Sequence, residues 1–257
     1  MAGEPLSPAL AWRLRKPLVC ASTELVLDRW LATLGEAPNL QQGGLAVVAR
    51  RQRHGRGQWH RQWSSPPGGL WLSAAFAWPV PDAAPAAPLT LALAVGLALE
   101  LEQLGVETQI KWPNDLLVGG RKLAGILARL RLQGGRVRWA RAGIGINGTN
   151  RVPPGAISLG QALRPQQRRR FHPHATASAL LPRALQAIAW AQQHSLSNAA
   201  VIALAEQRLL RPEGGWSHQG ERWQVQGLSA DGGLRLQRSG QTLTLRRQLE
   251  LNPESHA

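Results

Sequence analysis

The sequence predicts an α+β protein in which a mixed sheet packs on helices and a small β-rich module follows. Strand-like and helix-like segments alternate from Leu6 to about Leu210. After Arg211-Pro212 the pattern changes to short strands that are separated by glycine-containing turns. Because 257 residues suffice for one large domain and one small one, we place the domains at residues 1–210 and 211–257.

Helices are predicted wherever a segment has sufficient length and an apolar or amphipathic pattern. Ser22 is the predicted N-cap of the first helix, because a serine hydroxyl can accept from the backbone N–H groups at a helix start. The second segment is apolar nearly throughout, which is typical of a buried helix. The helices are predicted at residues 23–33, 89–104, 175–193 and 197–210.

Strands are predicted from short apolar or alternating runs that turn residues separate. In the large domain these runs are residues 45–49, 70–76, 108–112, 115–118, 122–132 and 136–146. In the small module they are residues 221–228, 233–238 and 241–246. Gly119-Gly120 and Gly134-Gly135 are predicted as hairpin turns, and the polar residues 50–69 as a loop.

The basic composition does not by itself indicate a nucleic-acid-binding protein. A formal net charge of +15 would favour that function if the charges were clustered. The arginines are scattered, apart from Arg168-Arg169-Arg170, which we interpret as a solvated loop. Lysine occurs only at Lys16, Lys111 and Lys122, a bias more typical of codon preference than of a binding face. We therefore expect no specific DNA binding.

Cysteine content and hydropathy exclude further classes of protein. A single cysteine, Cys20, rules out an internal disulfide framework and a zinc site built from cysteines. No apolar run approaches the roughly 18 residues of a membrane span, and the N-terminus lacks the pattern of a secretory signal. The sequence therefore predicts a cytoplasmic protein with no membrane association.

The first stretch that indicates chemistry is Gly55-Arg56-Gly57, within a basic segment. The glycines allow the backbone to approach a ligand closely, and the arginine adds several donors and a permanent positive charge. Such a segment can hold a phosphate or a carboxylate. The alternative is a flexible, solvated basic loop.

The second stretch runs from Lys111-Trp112-Pro113-Asn114-Asp115 to Lys122-Leu123-Ala124-Gly125. A lysine is a compact charge that suits phosphate or carboxylate oxygens. A glycine in an apolar strand indicates that a ligand or another backbone passes close. The stretch favours an anion site, although Asn114 and Asp115 are also common turn formers.

The third stretch is Ala142-Gly143-Ile144-Gly145-Ile146-Asn147. Glycines that alternate with isoleucines leave one face of a strand flat, which suits a planar ring. Asn147 can both donate and accept, as adenine recognition requires. The alternative is a strand that packs tightly against a helix.

The order and spacing of the three stretches resemble the biotin–protein ligase family. Its pattern has Gly-Arg-Gly, Lys-Trp-Pro-Asn-Asp, a Lys-Leu-Ala-Gly-Ile-Leu strand and Gly-Ile-Asn, and all are present here in order. The resemblance implies a catalytic domain like those of class II synthetases and biotin–lipoyl ligases, followed by an SH3-like β-barrel. It also implies that ATP and Mg²⁺ serve to convert biotin to biotinyl-AMP, which then modifies a lysine of a biotin carboxyl carrier protein.

The resemblance also implies roles for individual residues. The residues implied to bind biotin are Ser22, Thr23, Gln52, Gly55, Arg56, Lys122 and Gly125. The residues implied to bind ATP or the adenylate are Arg56, Gly57, Gln58, Arg61, Trp63, Asn114, Asp115 and Asn147. Arg56, Lys111 and Lys122 are implied to be catalytic, because the reacting carboxylate and phosphate are both anions. The resemblance names no protein ligand for the metal.

Two positions depart from the family pattern. Glu24 stands where an asparagine usually follows Ser-Thr, and Gln58 stands where a further arginine often follows Gly-Arg-Gly. We expect Gln58 to retain the reactive adenylate less firmly than arginine would. Too few residues precede Ser22 for a DNA-binding helix-turn-helix domain, so the resemblance is to the ligase-only form.

Other functions stay open at this point. A lipoate or octanoate ligase shares the fold, and a non-enzymatic basic binding module would also use the arginines. An enzyme that Glu24 and Gln58 have impaired is a further alternative. Family members often pair through sheet edges, so a homodimer is compatible with the sequence.

Overall fold

The computed structural model describes residues 11–35, 40, 43–79, 87–133, 136–168 and 176–246. Some predictions made from the sequence lie outside these residues. They are the turn at Gly134-Gly135, the start of the third helix at residue 175, and Arg169-Arg170 of the arginine run.

A seven-stranded mixed sheet forms the centre of the large domain. From one edge to the other, its strands are β1 (Arg13–Arg15), β3 (Leu45–Ala49), β6 (Leu70–Phe76), β10 (Arg136–Ile146), β9 (Arg121–Gln133), β8 (Asp115–Val118) and β7 (Gln109–Lys111). β1 runs parallel to β3, and the other neighbours are antiparallel. The sequence predicted every strand of this sheet except β1.

Six helices lie within the described residues. They are α1 (Thr23–Ala32), α2 (Ala87–Glu102), α3 (Leu159–Ala162), α4 (Pro165–Arg168), α5 (Thr176–Gln193) and α6 (Asn198–Arg208). The four long helices match the predicted ones, and the short α3 and α4 were not predicted. Ser22 caps α1 as expected, since its Oγ accepts from the N–H of Glu24 at 3.2 Å.

Helices cover both faces of the large sheet. Alternate residues of β3 point to opposite faces, and Ala46 and Val48 belong to the core that α2 and α5 share. Leu45 and Val47 pack instead with Leu27 of α1. α2 and α5 approach so closely at Gly96 that a Cβ there would lie 2.6 Å from the carbonyl oxygen of Ala187. α1 therefore lies on the face that α2 and α5 leave open.

A three-stranded sheet formed by β2 (Val19–Cys20), β4 (Arg51–Arg56) and β5 (Gln62–Ser65) replaces most of the predicted loop at residues 50–69. The loop prediction was wrong for these strands. Most side chains of β4 are polar and exposed, so the strand lacks the apolar alternation by which a strand is recognised. A turn of 3₁₀-helix at Gln58–His60 joins β4 to β5.

A four-stranded antiparallel sheet forms the small module. Its strands are β11 (Trp216–His218), β12 (Glu221–Leu228), β13 (Leu234–Arg238) and β14 (Gln241–Leu245). The sequence predicted all of these strands except β11. Leu228, Leu234 and Leu236 are buried in the same core cluster as α2 and α5, so the module packs directly on the large domain.

Within the residues that the structure describes, no helix is both long enough and apolar enough to cross a membrane.

Candidate active site

A cavity of about 190 Å³ opens on the face of the large sheet that carries α1. The start of α1, the β4–β5 hairpin, β6, the β7–β8 turn, β9 and β10 all contribute to its lining. Segments that are far apart in the sequence therefore meet at one place. The sequence-predicted residues that line it are Ser22, Thr23, Gln52, Arg56, Gly57, Gln58, Arg61, Trp63, Asn114, Asp115, Lys122 and Gly125.

One wall of the cavity is a hydrogen-bonded polar network. The Oε1 of Gln52 accepts from the backbone N–H of Thr23 at 2.7 Å and from the Thr23 hydroxyl at 2.9 Å. The Nε2 of Gln52 donates to the Oγ of Ser65 at 2.8 Å. Ser73 Oγ lies 2.8 Å from Thr23 Oγ1. These bonds fix the orientation of the Gln52 amide and give the wall a defined pattern of donors and acceptors.

The floor of the cavity is made of backbone from β9 and β10. Gly125 and Gly145 lie opposite each other in the two strands. A Cβ placed on either glycine would lie within 2.9 Å of the Trp63 indole, so the indole rests directly on the glycines. Of the two alternating glycines of β10, only Gly145 contacts the indole, whereas Gly143 faces Glu24. The ring is the protein's own, and a flat surface for a ligand ring stays a prediction. Trp63 also packs edge-to-face on Trp71, with ring centroids 6.5 Å apart.

The cationic side of the cavity centres on Lys122. Its Nζ lies 2.7 Å from Asp115 Oδ1 and 4.8 Å from the centroid of the Trp63 ring. Arg56 and Arg61 line the same cavity from the hairpin, and both are exposed. An ammonium group and two guanidinium groups around one space can bind an anion with several oxygens.

A second ion pair closes the cavity at the start of α1. Glu24 is 6% exposed, and its Oε2 lies 3.1 Å from the Nη2 of Arg141. The Nη1 of Arg141 donates to Asp28 Oδ1 at 2.5 Å. Glu24 lines the cavity, whereas Asp28 is half-exposed. Glu24, which stands where the family pattern has an asparagine, is therefore paired with Arg141.

Gly55, Lys111 and Asn147 do not line the cavity. A Cβ on Gly55 would lie 2.4 Å from the carbonyl oxygen of Trp63, so the glycine allows β4 and β5 to pair closely. Lys111 is exposed on β7 opposite Asp115. Asn147 is buried; its Nδ2 donates to the carbonyl oxygen of Lys122 at 3.3 Å, and its Oδ1 accepts from Asn150 at 3.2 Å. The roles implied for these residues stay predictions.

Sequence reasoning missed Ser65, Ser73 and Arg141. Ser73 is a buried polar residue in the otherwise apolar β6, and Arg141 is a buried charge within the apolar end of β10. A polar residue at a buried strand position requires a partner, and that requirement is the signal that could have identified both. Ser65 gave no such signal, because it lies in a segment that was predicted to be a loop.

Within the described ranges, no three His, Cys, Asp or Glu side chains come close enough to hold a metal ion. A magnesium ion that arrives with a nucleotide keeps phosphate and water ligands and needs only one or two carboxylates. Asp115 lines the cavity beside Lys122 and is a suitable carboxylate for that purpose.

A family model described as the biotin/lipoate A/B protein ligase family matches residues 32–147. The match covers slightly less than half of the chain. The matched residues include the β4–β5 hairpin, the β7–β8 turn, β9 and the glycines of β10. They therefore supply most of the cavity lining, and α1 begins just before them.

Characterised proteins that resemble part of the chain include ligases that act on biotin or carry the name BirA. The bifunctional ligase/repressor BirA of Bacillus subtilis is 42% identical over 106 residues, which cover 40% of this chain and 32% of BirA. The biotin–[acetyl-CoA-carboxylase] ligase of Paracoccus denitrificans is 35% identical over 130 residues, which cover 48% of this chain and 52% of that enzyme. The chain thus spans between about a third and a half of the length of these two relatives.

Solved structures of biotin protein ligases share the fold over nearly the whole chain. The biotin protein ligase from Aquifex aeolicus in complex with biotin and ATP superposes with a TM-score of 0.70 at 22% identity. The likeness covers 91% of this chain and 95% of that one. It includes the four-stranded C-terminal sheet as well as the large mixed sheet, so the predicted α+β class is confirmed.

Proposed function

We propose that the protein is a biotin–protein ligase, which activates biotin with ATP and transfers it to a lysine of a biotin carboxyl carrier protein in the cytoplasm. One observation carries the proposal: a single cavity joins the Thr23–Gln52 polar wall, the glycine floor and the cationic side at Lys122. The wall suits a polar ring, the floor suits a flat ring, and the cations suit the reacting carboxylate and phosphate.

In the first step, a carboxylate oxygen of biotin attacks the α-phosphorus of ATP. A bond forms between that oxygen and phosphorus, and the bond to pyrophosphate breaks, which leaves biotinyl-AMP. The two reactants repel each other because both are anions. Lys122 and Arg56 reduce this repulsion and stabilise the additional charge of the transition state. Magnesium bound to the phosphates would add further positive charge, with Asp115 as its ligand from the protein.

In the second step, the amine of the acceptor lysine attacks the acyl carbon of biotinyl-AMP. An amide bond forms, AMP leaves with the electrons of the broken C–O bond, and the amine loses a proton. The protein supplies no covalent nucleophile in this scheme. Its contribution is to position the reactants and to exclude water, since biotinyl-AMP hydrolyses. Arg56, Gln58 and Trp63 of the hairpin line the cavity, and we assign this exclusion to the hairpin.

The polar wall favours biotin over lipoate. Biotin carries a ureido ring with N–H donors and a carbonyl acceptor, whereas the dithiolane ring of lipoate carries no comparable group. Burying the wall against an apolar ring would leave the Oε1 of Glu24 without a compensating hydrogen bond, at a cost of about 1–3 kcal/mol. The same reasoning disfavours octanoate.

Biotin-dependent exchange of labelled pyrophosphate into ATP tests the proposal. We expect exchange with biotin and magnesium, and none with lipoate or octanoate. Exchange with lipoate alone would replace the substrate, and the absence of exchange with every acid would contradict the proposed activity. Lys122→Ala should lower the exchange rate by roughly a hundredfold or more, because a positioned charge at the reacting oxygens is lost. Lys16→Ala is the matched control, since Lys16 lies outside the cavity.

A further inference from the structure

Glu24 presents one carboxylate oxygen to the cavity without a protein partner. Its Oε2 is paired with Arg141, but its Oε1 is buried and has no hydrogen-bond partner among the described residues. This oxygen lies 3.3 Å from a Cβ placed on Gly143, which lines the cavity floor. A buried acceptor without a donor is costly, so the arrangement is complete only when something in the cavity donates to it.

Arg141 holds this carboxylate in place. Its guanidinium contacts Glu24 through Nη2 and Asp28 through Nη1, and it is itself 9% exposed. The Nη2 also donates to the backbone carbonyl of Glu24 at 3.3 Å. Because both the side chain and the backbone of Glu24 are tied to one guanidinium, Oε1 has little freedom to turn away from the cavity. The carboxylate is thus a fixed feature of the cavity wall.

Charge is distributed unevenly along the cavity floor. Glu24 lies at Gly143, whereas Lys122 lies at Gly125, which is paired with Gly145 two residues further along β10. A strand rises about 3.4 Å per residue, so the negative and positive sides are separated by about 7 Å along the strand. A ligand with a donor at one end and a carboxylate at the other therefore enters in only one orientation.

We propose that Glu24 is a specificity-determining residue that accepts a hydrogen bond from a ring N–H of the bound acid, and that Arg141 is its positioning residue. The proposal rests on the function proposed above and identifies the feature of the substrate that is read at this end. It also explains why a carboxylate is tolerated where the family pattern has an asparagine. A ring without an N–H at this point is rejected, because it would seal the Glu24 oxygen in an unsatisfied state.

Binding measured by titration calorimetry on the full chain tests the proposal. The ligands are biotin, lipoate and the two biotin analogues in which one or the other ring N–H is replaced by an oxygen. In the wild-type protein, we expect one of these analogues to bind at least about a hundredfold more weakly than biotin, since its ring oxygen would face the Glu24 oxygen. In Glu24→Gln, biotin should bind roughly tenfold more weakly. In this variant the affinity for the same analogue should rise relative to the affinity for biotin, because the glutamine amide can donate to the ring oxygen.

Two further variants keep the test decisive. Glu24→Gln combined with Arg141→Gln removes both charges, so no unpaired buried charge remains, and it should show the same altered discrimination. Glu100→Gln is the matched control, because Glu100 pairs with Arg183 at the same 3.1 Å and is similarly buried, but lies on α2 outside the cavity. It should keep the wild-type preference for biotin over both analogues.

Each outcome separates this inference from the proposed function. If the wild-type protein binds biotin but Glu24→Gln keeps the same affinity and the same discrimination between analogues, the inference is wrong and the proposed function stands. Equal losses in Glu24→Gln and Glu100→Gln would likewise show that Glu24 acts only through stability. If the wild-type protein binds no biotin, both the function and the inference fail.

Discussion

Glycine is the residue that shapes the cavity floor. At Gly125 and Gly145 the absence of a side chain allows the Trp63 indole to lie on the strands, and Lys122 contacts the same ring. The free energy of this contact depends on how closely the ring approaches the backbone, because dispersion attraction weakens steeply with distance. A ligand ring that uses the floor must either displace the indole or share the space with it.

Gly145→Ala should weaken biotin binding by roughly tenfold to a hundredfold, as expected for overpacking of about 1–3 kcal/mol. The new Cβ would lie 2.7 Å from the Trp63 indole, so the ring must shift and the cavity becomes narrower. Titration calorimetry measures the change. Gly214→Ala is the control, since a Cβ there meets no atom within 4 Å. Unchanged affinity in Gly145→Ala would show that the ligand does not use the floor.

Gln58 is the residue that we expect to govern retention of the adenylate. It lines the cavity in the short turn between β4 and β5, and its Nε2 is buried without a hydrogen-bond partner among the described residues. Gln58→Arg places a guanidinium near the phosphate and should slow the release of biotinyl-AMP by roughly tenfold, as expected for a charge-assisted hydrogen bond. Rapid filtration of labelled intermediate measures the release rate. An unchanged rate would contradict the expectation, and Gln109→Arg, outside the cavity, should have no effect.

At the scale of single elements, the helices and the long strands were predictable because their apolar patterns are local. α1 and its Ser22 cap were found in this way, and so were β6, β9 and β10. β1 and β2 were missed because strands of two or three residues carry too little pattern to detect. β4 was missed because its exposed side is arginine-rich. β4 forms a strand because it pairs with β2 and β5. β2 is distant in the sequence, and β5 lacks a clear alternation of apolar and polar residues.

The candidate site was predictable in part for a different reason. Periodicity placed Thr23 at a helix start and Lys122 on a strand, but it left Gln52 in a predicted loop and could not show that the three residues meet. A common site was implied only because the motifs occur in the same order as in the biotin–protein ligase family. The Glu24–Arg141 pair could not be foreseen, since its partners are 117 positions apart and the family pattern has asparagine at the first of them. Long-range pairs of this kind are fixed by the packing of α1 on the large sheet, where it contacts β3 and β6.

The β12–β13 turn contains a carboxylate whose ionisation stabilises the small sheet. The Ser229 hydroxyl and the Arg246 guanidinium both donate to Asp231, and they lower the pKa of its carboxyl to about 2. The folded-state pKa is therefore below the unfolded value of about 3.9. The stabilisation is present above pH about 4 and is lost as the pH falls towards 2.

Asp231→Asn should lower the free energy of unfolding at pH 7. The gap between the unfolding free energies of the variant and the wild-type protein should shrink as the pH falls from about 4 to about 2. Urea unfolding across this pH range measures the effect. Glu221→Gln removes an exposed ion pair with Arg238 in the same sheet and should change stability little. A difference that stays constant from pH 7 to pH 2 would show that Asp231 acts through packing rather than charge.

For the whole molecule, the decisive contact is the one between the small sheet and the β7–β8 turn. Trp112 Nε1 donates to the carbonyl oxygen of Gly232 at 2.9 Å. Glu206 of α6 accepts from the backbone N–H of Leu228, and Leu234 lies in the common core. The small sheet thus rests on the turn that carries Asn114 and Asp115 to the cavity. A domain boundary between residues 210 and 211 stays a prediction, as does a homodimer.

Trp112→Phe keeps an aromatic ring but removes the donor to Gly232. We expect a loss of about 1 kcal/mol in the free energy of unfolding, the usual contribution of one hydrogen bond. Chemical denaturation measures the loss. Trp223→Phe is the control, because Trp223 lies in the same sheet and its ring nitrogen makes no such bond within the described part of the chain. Equal effects in the two variants would assign the loss to ring size.

The bond between Trp112 and Gly232 also affects how a mutagenesis screen of this protein would read. Loss-of-function variants would fall into two groups, one around the cavity and one in the distant C-terminal sheet. The second group would look like evidence for a remote regulatory site. These variants would instead have lost the contact that holds Trp112, which lies two residues before Asn114 in the chain. Screening at a lower temperature would restore the second group and leave the first inactive.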